Sequence, residues 1–429
     1  VQRHLGVTLD KSAQTVPWGG GLAPAQLRYA AADVSHLHAL DAALAKELTA
    51  AGLTDVYRLE MELLPYIVDM EARGFPVNRD TLQRFHDKAK GNAATVQASL
   101  RQLFGQPDLN PGSPAQMKAA LSAKGVQVAS TGESVLMASQ DKTYIPAILA
   151  YRSASKRAQQ TESLMDAVAP DGRIHARFEP TGTDTGRFSS REPNLQNVER
   201  GPIRTAFAAP EGQALIVADY SQIELRVAAA ITEEPKMIEA YRNGIDLHRL
   251  TAALVLEKDP KDVTKDDRQL AKAVNFGLLY GQSARGLVGY AKNVYGVEMT
   301  ESRSREIRDR FFSAYPKLKA WQDANYVTSA TATETRTVTG RRQLLPPGDE
   351  AGSADGIKRA IILIGQRLPP GCGLISTVHD ELIALAPVKL AEQARTIVED
   401  SMKEAMSALF PTVPVEVECA VCRTWGEKK

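Results

Sequence analysis

The stretch "LIVADYSQIELRVAAA", residues 215–230, predicts a buried strand that ends in a carboxylate and passes at once into a helix. Four apolar residues lead directly into Asp219. Ser221 and Glu224 match the S-x-x-E pattern of a capping box, which is a purely structural explanation of these polar residues. The alternative is that Asp219 binds a metal ion at the end of the strand. Considered alone, the segment favours the helix cap.

The composition is that of an ordinary globular protein. The chain has 429 residues, of which 43% are hydrophobic and 24% are charged, and this size suits about two to four domains. Its apolar runs are much shorter than the ~20 residues of a membrane helix, and the N-terminus lacks the layout of a signal peptide. We therefore expect a cytoplasmic protein with no membrane partner. The net charge of +1 neither favours nor excludes a nucleic-acid partner, because a balanced total can hide basic patches.

The cysteines do not indicate a disulfide framework or a metal site. Only Cys372, Cys419 and Cys422 occur in the sequence. The last two form a single CxxC, but no second pair of Cys or His lies nearby, and the surrounding residues alternate like a strand. We interpret this segment as a strand.

Hydrophobic periodicity and turn formers predict a mainly helical chain with a few strands. The segment "GLISTVHDELIALAP" predicts a hairpin whose two strands are joined at His379 and Asp380. The other predicted elements are helices over 24–50, 54–73, 115–124, 144–168 and 267–280, a strand over 214–218 and a helix from about 221.

A stripe of two cations and two aromatics follows the predicted helix "RQLAKAVNFGLLYG". Arg268, Lys272, Phe276 and Tyr280 repeat every four residues, so they share one face of the helix. A core-facing helix would place aliphatic residues there. The pattern suits a ligand with a polyanionic end and a flat apolar end, such as a nucleoside triphosphate.

The tip of the predicted hairpin, "TVHDEL", has two adjacent acids. Acids at a turn are usually only turn formers. However, phosphoryl transfer by two metal ions requires carboxylates from separate strands, and Asp219 and Asp380 could supply that pair. A glycosidase would use two carboxylates in a Trp-rich cleft, and the chain has only three Trp residues.

Together these segments resemble a known family. "DYSQIELR", "RQLAKAVNFGLLYG" and "VHDEL", in this order, are similar to the three polymerase motifs of the family A DNA polymerases, the DNA polymerase I type. Further matches are "TGRFSSREPNLQN", "DLHR" at 246–249 and "TGRRQLLP" at 339–346. The resemblance covers essentially the whole chain.

The resemblance implies an α+β fold shaped like a right hand. Its palm is expected to be an antiparallel sheet with Asp219 and Asp380, between helical fingers and a helical thumb. The expected segments are a C-terminal remnant of a 3′-5′ exonuclease domain (1–48), a connecting helix (49–77), the thumb (78–165), the first part of the palm (166–235), the fingers (236–330) and the second part of the palm (331–429).

The resemblance also implies the metal site. Asp219 and Asp380 are expected to bind two Mg²⁺ ions, with Mn²⁺ able to substitute, and the backbone carbonyl of Tyr220 is expected to assist. Glu381 is implied as a secondary acidic neighbour. Lys272 is implied as the proton donor to the leaving pyrophosphate.

Residues around the incoming nucleotide are implied in the same way. Phe276 is expected against the sugar, and Tyr280 at the template-side stacking position. Glu224 is implied as a steric gate that leaves no room for a ribose 2′-hydroxyl, and it could also cap the helix. The residues implied at the triphosphate are Arg268, Lys272 and His248.

The implied DNA contacts lie near the primer terminus and along the thumb. Arg187 and Gln222 are expected near the primer terminus and the minor groove, where the acceptor pattern is nearly the same for every base pair. Thumb cations are expected on phosphates. The remaining residues that we expect to contact DNA are Asn194, Asn197, Arg152, Lys156, Arg157 and His379.

The N-terminus departs from a complete proofreading enzyme. "LRYAAADV" resembles the last motif of the 3′-5′ exonucleases, with Tyr29 and Asp33 at the expected spacing. The partner acids should precede this motif and are absent from the sequence. Asp69 and Glu71 have the D-x-E spelling but follow it, within a helical pattern, and we interpret them as a solvated face. We expect no proofreading by this chain.

A second departure lies where "GDEA" meets "GSADG", between Ala351 and Gly352. Members of the family have a longer helical stretch here that faces the minor groove. Either the protein lacks this stretch or the sequence omits it. We favour an omission, because losing those contacts would weaken duplex binding and fidelity together.

The resulting hypothesis is template-directed DNA synthesis. The expected partners are primer-template DNA and deoxynucleoside triphosphates, and the expected state is a monomer. Two alternatives stay open: a phage-type single-subunit RNA polymerase, against which Glu224 argues, and a catalytically weak or inactive DNA-binding relative, against which the two retained aspartates argue.

Overall fold

The computed structural model describes residues 1–137, 139–329, 334–343 and 350–428. Most of the secondary structure is helical. The helices are α1 (Gln2–Leu5), α2 (Pro24–Ser35), α3 (Leu37–Ala50), α4 (Thr54–Arg73), α5 (Arg79–Phe104), α6 (Pro114–Ala123), α7 (Glu133–Met137), α8 (Tyr144–Asp166), α9 (Ile223–Thr232), α10 (Pro235–Arg242), α11 (Leu247–Leu256), α12 (Lys265–Leu279), α13 (Ala284–Tyr295), α14 (Glu301–Ala314), α15 (Pro316–Ser329), α16 (Glu350–Arg367) and α17 (Ala391–Ser407).

The strands are short except in one central sheet. They are β1 (Phe75–Pro76), β2 (Arg173–Ile174), β3 (Arg177–Glu179), β4 (Ser189–Arg191), β5 (Gln213–Tyr220), β6 (Thr335–Arg336), β7 (Arg342–Gln343), β8 (Gly373–Val378), β9 (Glu381–Pro387) and β10 (Val417–Cys422).

The central sheet is antiparallel and has the order β10-β5-β9-β8. Its middle strands are almost entirely buried. Helix α17 packs against β5 and β9, and α4 and α16 pack against the edge strand β8. This explains why the strand sequence is a continuous apolar run rather than an alternation of apolar and polar residues. Leu215, Ile216 and Val217 of β5 are fully buried in the main hydrophobic core.

Two larger cores, and a small one that includes Ala252 and Ala271, lie outside the sheet. One is built from α9 to α15 and includes Leu278 and Phe311. The other lies among α5, α6 and α8 and includes Phe104 and Ile148. The expected boundaries of thumb, palm and fingers stay predictions.

The α+β fold class is confirmed, and most of the predicted elements are present. The helical stretch 24–50 is two helices, α2 and α3, and the hairpin at His379 and Asp380 joins β8 to β9. The strand predicted over 214–218 is longer at both ends, and the helix predicted from about 221 begins at Ile223. Among the described residues, no helix is both long and apolar enough to span a bilayer.

Truncating the middle strand of the sheet tests this packing. We expect Ile216→Ala to lower the free energy of unfolding by about 2–5 kcal/mol, because it leaves a cavity in a core that cannot collapse. Val388→Ala is the control, since Val388 is 60% exposed. Thermal unfolding measures both variants, and equal shifts of Tm would contradict the described packing.

Candidate active site

Antiparallel pairing brings acidic residues to one end of the central sheet. Asp219, near the end of β5, lies opposite Glu381, the first residue of β9. Directly opposite residues share a face of an antiparallel pair. Asp380 precedes Glu381 in the turn, and its carbonyl oxygen accepts a hydrogen bond from the Tyr220 N–H at 3.3 Å. Pairing of β5 with β9 therefore brings the predicted aspartates together, one from a strand and one from the turn that precedes the neighbouring strand.

Asp219 lies at the surface of this end of the sheet. Its side chain is 23% exposed, and Arg200 Nη2 lies 3.6 Å from its Oδ2 atom. The Arg200 side chain is itself exposed. By contrast, the Tyr220 side chain points into the core, where its hydroxyl donates to the carbonyl of Met402 at 2.7 Å. The backbone of Tyr220 is thus the part of that residue nearest the acids.

Glu381 is held by protein partners. Its Oε1 atom accepts a hydrogen bond from the Trp425 indole at 2.6 Å and one from Arg204 at 3.4 Å. The Arg204 guanidinium also stacks on the Trp425 ring at 3.8 Å. Burial raises the pKa of Glu381, although the Trp425 hydrogen bond and the Arg204 charge oppose the shift. Glu381 is therefore a buried neighbour of the aspartates.

The capping-box interpretation of Ser221 and Glu224 is wrong. The N-cap residue of α9 is Gln222, which has φ 54°, and no side chain caps this helix. The Glu224 carboxylate instead accepts hydrogen bonds from Arg187 at 2.7 Å and from the Tyr280 hydroxyl at 2.5 Å. One carboxylate therefore joins three separate motifs of the sequence.

The cation-aromatic stripe lies on α12 as predicted, and this helix starts with a capping box between Thr264 and Asp267. Arg268 Nε donates to Asp246 Oδ2 at 2.7 Å. Asp246 also caps α11 through its other oxygen. Lys272 is half-buried and has no ion-pair partner among the residues that the structure describes. The helix thus presents Arg268, whose orientation is fixed by Asp246, and Lys272, which is available to a ligand.

His248 lies behind the stripe. It is 2% exposed, and its ring packs against that of Phe276 with centroids 5.8 Å apart. The Asn275 amide lies 2.9 Å from Nδ1 and also accepts from the Thr251 hydroxyl, so the amide donates to Nδ1 and leaves Nε2 protonated. Burial and the Arg268 charge lower the pKa of His248 to about 4. His248 is a neutral donor at neutral pH.

The end of α12 is fixed from a neighbouring helix. Gln322 on α15 donates to the carbonyls of Leu278 and Leu279, at 2.5 and 3.1 Å. These carbonyls belong to the last turn of the helix, which lacks intrahelical partners. Tyr280 follows directly as the C-cap residue. The bond from Tyr280 to Glu224 therefore extends from a fixed helix end.

The residues predicted to contact DNA differ in their exposure and in their partners. Asn194 caps the 3-10 helix Leu195–Asn197, and Arg152 donates to the Thr131 carbonyl at 2.6 Å. Arg157 pairs with Glu199 at 3.0 Å. The other predicted contacts, which are exposed, are Asn197, Lys156 and His379.

The N-terminal acids do not form a second site within the described residues. Asp33 pairs with Lys11 at 3.4 Å, and Tyr29 stacks near Trp18. Asp69 is exposed, as predicted. However, Glu71 is half-buried, and its Oε1 atom accepts from the Phe178 N–H at 2.7 Å, so it is not part of a solvated face.

Two sequence features lie partly outside the described residues. Of the motif at 339–346, the residues after Gln343 are not described. The junction between Ala351 and Gly352 lies in the backbone of α16, whose first side chains are not described.

The donor set at the sheet end fits a magnesium site that is completed by a ligand. Mg²⁺ binds oxygen donors, commonly one or two carboxylates together with substrate phosphates. Asp219, Asp380 and the Tyr220 carbonyl supply oxygen donors. Among the described residues, no group of three or more Asp, Glu, His or Cys side chains could hold a metal ion by itself. Cys419 and Cys422 lie in a strand, β10, as predicted.

Sequence reasoning missed Asp246, Asn275 and Gln322. Asp246 belongs to the "DLHR" segment and could have been noticed as an N-cap before a helix. Asn275 is a fully buried amide in an apolar helix, which is a signal that it has a specific partner. Gln322 gives no local signal.

Comparison with known proteins gives one consistent family. The model of DNA polymerase family A matches residues 79–351. DNA polymerase I of Aquifex aeolicus is 34% identical over an alignment of 464 residues, which covers 99% of this chain and 80% of that protein. Because the alignment is longer than the chain, the Aquifex protein has residues with no counterpart here. DNA polymerase I of Pseudomonas aeruginosa is 34% identical, and the match covers 93% of this chain and 47% of that protein.

A solved structure has the same fold. The POL domain of Pol1 from M. smegmatis, in complex with DNA primer-template and dNTP, superposes with a TM-score of 0.84 at 27% identity. The match covers 99% of this chain and 78% of that one.

The buried histidine gives a testable titration. We expect the His248 ring to stay neutral until the pH falls towards about 4. Since the unfolded state binds this proton near 6.5, the His248 contribution to stability is complete above pH 6.5 and declines as the pH falls towards 4. Nitrogen NMR of labelled histidine measures the titration. In Arg268→Met, loss of the guanidinium charge should raise the pKa, and a midpoint near 6.5 in the parent protein would contradict the described burial.

Proposed function

Because the chain belongs to DNA polymerase family A and is a DNA-directed DNA polymerase, we propose that it extends a primer by two-metal phosphoryl transfer at the end of its central sheet. The observation that supports this assignment is the contact among Glu224, Arg187 and Tyr280. It connects the helix that follows Asp219, the loop that precedes β4 and the end of α12.

The reaction joins a deoxynucleotide to the primer. The primer 3′-hydroxyl loses its proton to solvent as its oxygen forms a bond with the α-phosphorus of the nucleotide, and the bond from that phosphorus to the bridging oxygen breaks. Pyrophosphate leaves with the electron pair. The chain's own task is to align these groups and to balance their charge.

Asp219 and Asp380 are assigned as ligands of two Mg²⁺ ions, with the Tyr220 carbonyl assisting. When bound, these cations supply charge stabilisation to the attacking and leaving oxygens. Glu381 is an acidic neighbour that keeps its own partners, Trp425 and Arg204.

The triphosphate is assigned to the face of α12. Arg268, oriented by Asp246, supplies a planar cation for phosphate oxygens. Lys272 supplies a second charge and donates a proton to the leaving pyrophosphate oxygen. His248 supplies the Nε2–H of a neutral ring, so its contact with the phosphates does not depend on pH near neutrality. Phe276 packs between this histidine and the position of the sugar.

Selection of the sugar is assigned to Glu224. Its carboxylate is fixed from two sides, by Arg187 and by Tyr280, so it cannot easily move away from a ribose 2′-hydroxyl. Tyr280 is 37% exposed, which suits a residue that also stacks on the template side.

The duplex is assigned to the surface that includes Arg187, Gln222 and His379. Sequence-independent binding requires contacts to phosphates and to the minor groove rather than readout of base edges. The outer contacts are assigned to Asn194, Asn197, Arg152, Lys156 and Arg157. The absence of proofreading, the monomeric state and the cytoplasmic location stay predictions.

Primer extension on a primed DNA template with Mg²⁺ tests the function. We expect extension with deoxynucleotides, and we expect Asp219→Asn to reduce its rate by roughly a thousandfold, since it removes one anionic metal ligand. Duplex binding by Asp219→Asn should persist. Parent protein that binds the duplex without extending it would indicate a DNA-binding relative, and unprimed RNA synthesis would indicate an RNA polymerase.

The gate is tested by the choice between sugars. We expect Glu224→Ala to reduce discrimination between deoxy- and ribonucleotides by about 10–100-fold. A pocket that accepts or rejects a substrate by one small group, here the 2′-hydroxyl, typically discriminates by a factor of that size. The measurement is kcat/KM for each nucleotide on the same primer-template. Glu239→Ala is the control, because Glu239 is an exposed carboxylate on the neighbouring helix α10. Unchanged discrimination in Glu224→Ala would contradict the assignment.

A further inference from the structure

Four charged side chains from three elements meet in the interior. They are Glu60 on α4, Arg341 between β6 and β7, and Asp355 and Lys358 on α16. Asp355 and Lys358 are fully buried, and Arg341 is 7% exposed. Arg341 donates to Asp355 from Nε at 2.8 Å and also pairs with Glu60, whose Oε1 atom lies 2.5 Å from Lys358 Nζ. We call these four residues the buried ion cluster.

The cluster fixes the segment that contains β6 and β7. The hydroxyls of Thr337 and Thr339 both donate to Asp355 Oδ2, the former at 3.3 Å. The Arg341 N–H donates to Thr337 Oγ1 at 3.1 Å. Two hydroxyls and one guanidinium therefore share a single fully buried carboxylate. These bonds connect the β6–β7 hairpin to α16.

The cluster also borders the residues on both sides of Arg187. A Cβ atom on Gly186, which has φ +78°, would lie 2.6 Å from Arg341 Cδ, so the arginine stem packs directly on this glycine. Lys358 Nζ lies 5.8 Å from the centroid of the Phe188 ring. Arg187, between them, reaches outward to Glu224.

A further contact strengthens the same attachment. Gln343 of β7 donates from Nε2 to the Thr185 carbonyl at 3.4 Å. Among the described residues, the hairpin and α16 thus contact Thr185, Gly186 and Phe188. Arg187, which lies among them in the sequence, has its guanidinium on the gate carboxylate.

Stability alone is a poor explanation for such a cluster. Replacing buried ion pairs with apolar residues of similar volume is often neutral or stabilising, because desolvation of the charges offsets their attraction. What a planar guanidinium between two carboxylates does provide is a defined geometry. Here the fixed positions are those of the residues next to Arg187, which Arg341, Gln343 and Lys358 contact.

We propose that Glu60, Arg341, Asp355 and Lys358 form a positioning cluster that holds Arg187 against Glu224 and so determines how strictly the site rejects a ribose 2′-hydroxyl. This inference rests on the proposed function of Glu224. None of the four residues contacts Glu224, so they act through the backbone of residues 185–188. Their expected effect is on sugar selection.

The test is Asp355→Asn, with kcat/KM measured for deoxy- and ribonucleotides. We expect the ratio of the two values to fall about tenfold, the change that corresponds to ~1.4 kcal/mol, with a smaller change for the deoxynucleotide alone. The matched control is Glu404→Gln. Glu404, on α17, forms an exposed ion pair with Arg367, which is on α16 like Asp355, and the substitution removes the charge of this pair. In this control the ratio should not change.

A double-mutant cycle separates positioning from general destabilisation. In the Arg187→Ala background, Asp355→Asn should leave the ratio unchanged, because there is no longer a guanidinium to position. An equal fall of the ratio in both backgrounds, or equal losses for both nucleotides, would overturn the proposal. Thermal unfolding checks each variant, and Thr339→Val, which removes one hydroxyl bond to Asp355, replaces Asp355→Asn if that variant does not fold.

The outcomes also distinguish this inference from the function on which it rests. If the parent protein extends primers and discriminates between sugars while Asp355→Asn keeps the parent ratio, only the positioning proposal fails. If Glu224→Ala does not alter discrimination in the parent background, the gate assignment fails first.

Discussion

The register of β5 against β9 is the constraint on which the rest of the site depends. Pairing of Asp219 with Glu381 is possible only in this alignment, and a shift by one residue would turn every side chain of the strand to the opposite face. The sequence of β5 is apolar on both faces, so its pattern alone would not oppose such a shift. The packing opposes it, because both faces of the strand are buried. The turn between β8 and β9 then determines the position of Asp380.

A second constraint links this sheet to the helices around it. Glu224 lies in the first turn of α9, and its partners come from the loop before β4 and from the end of α12. Because Gln322 holds the last carbonyls of α12, the position of Tyr280 relative to the sheet depends on α15 as well. The Glu224 carboxylate accepts from one guanidinium and one hydroxyl, so its position depends on elements that are far apart in the sequence. Selectivity at such a site is a property of several packed units rather than of one motif.

The sequence was sufficient to predict the features that depend on local pattern. The apolar run before Asp219, the stripe on α12 and the hairpin at Asp380 are all visible within about fifteen residues. The cap assigned to Ser221 was wrong because a motif of four residues does not reveal the left-handed conformation of Gln222. Long-range pairs were not predictable at all. Glu60 and Arg341 are separated by 281 positions, and their contact is a consequence of how α4 and α16 pack on the sheet.

Backbone conformation explains why the acids lie so close to the chain reversals. Gln222 and His379 have φ values of 54° and 53°, in the left-handed region that costs about 1–2 kcal/mol for a residue other than glycine. Gln222 allows the chain to leave β5 and begin α9 at Ile223, shortly after Asp219. His379 allows the reversal that places Asp380 beside the same strand. Glycine would relieve the strain at both positions, but it would also increase the freedom of the two segments that hold the aspartates. The strain is therefore consistent with a site in which the carboxylates must already be in position when the substrate arrives.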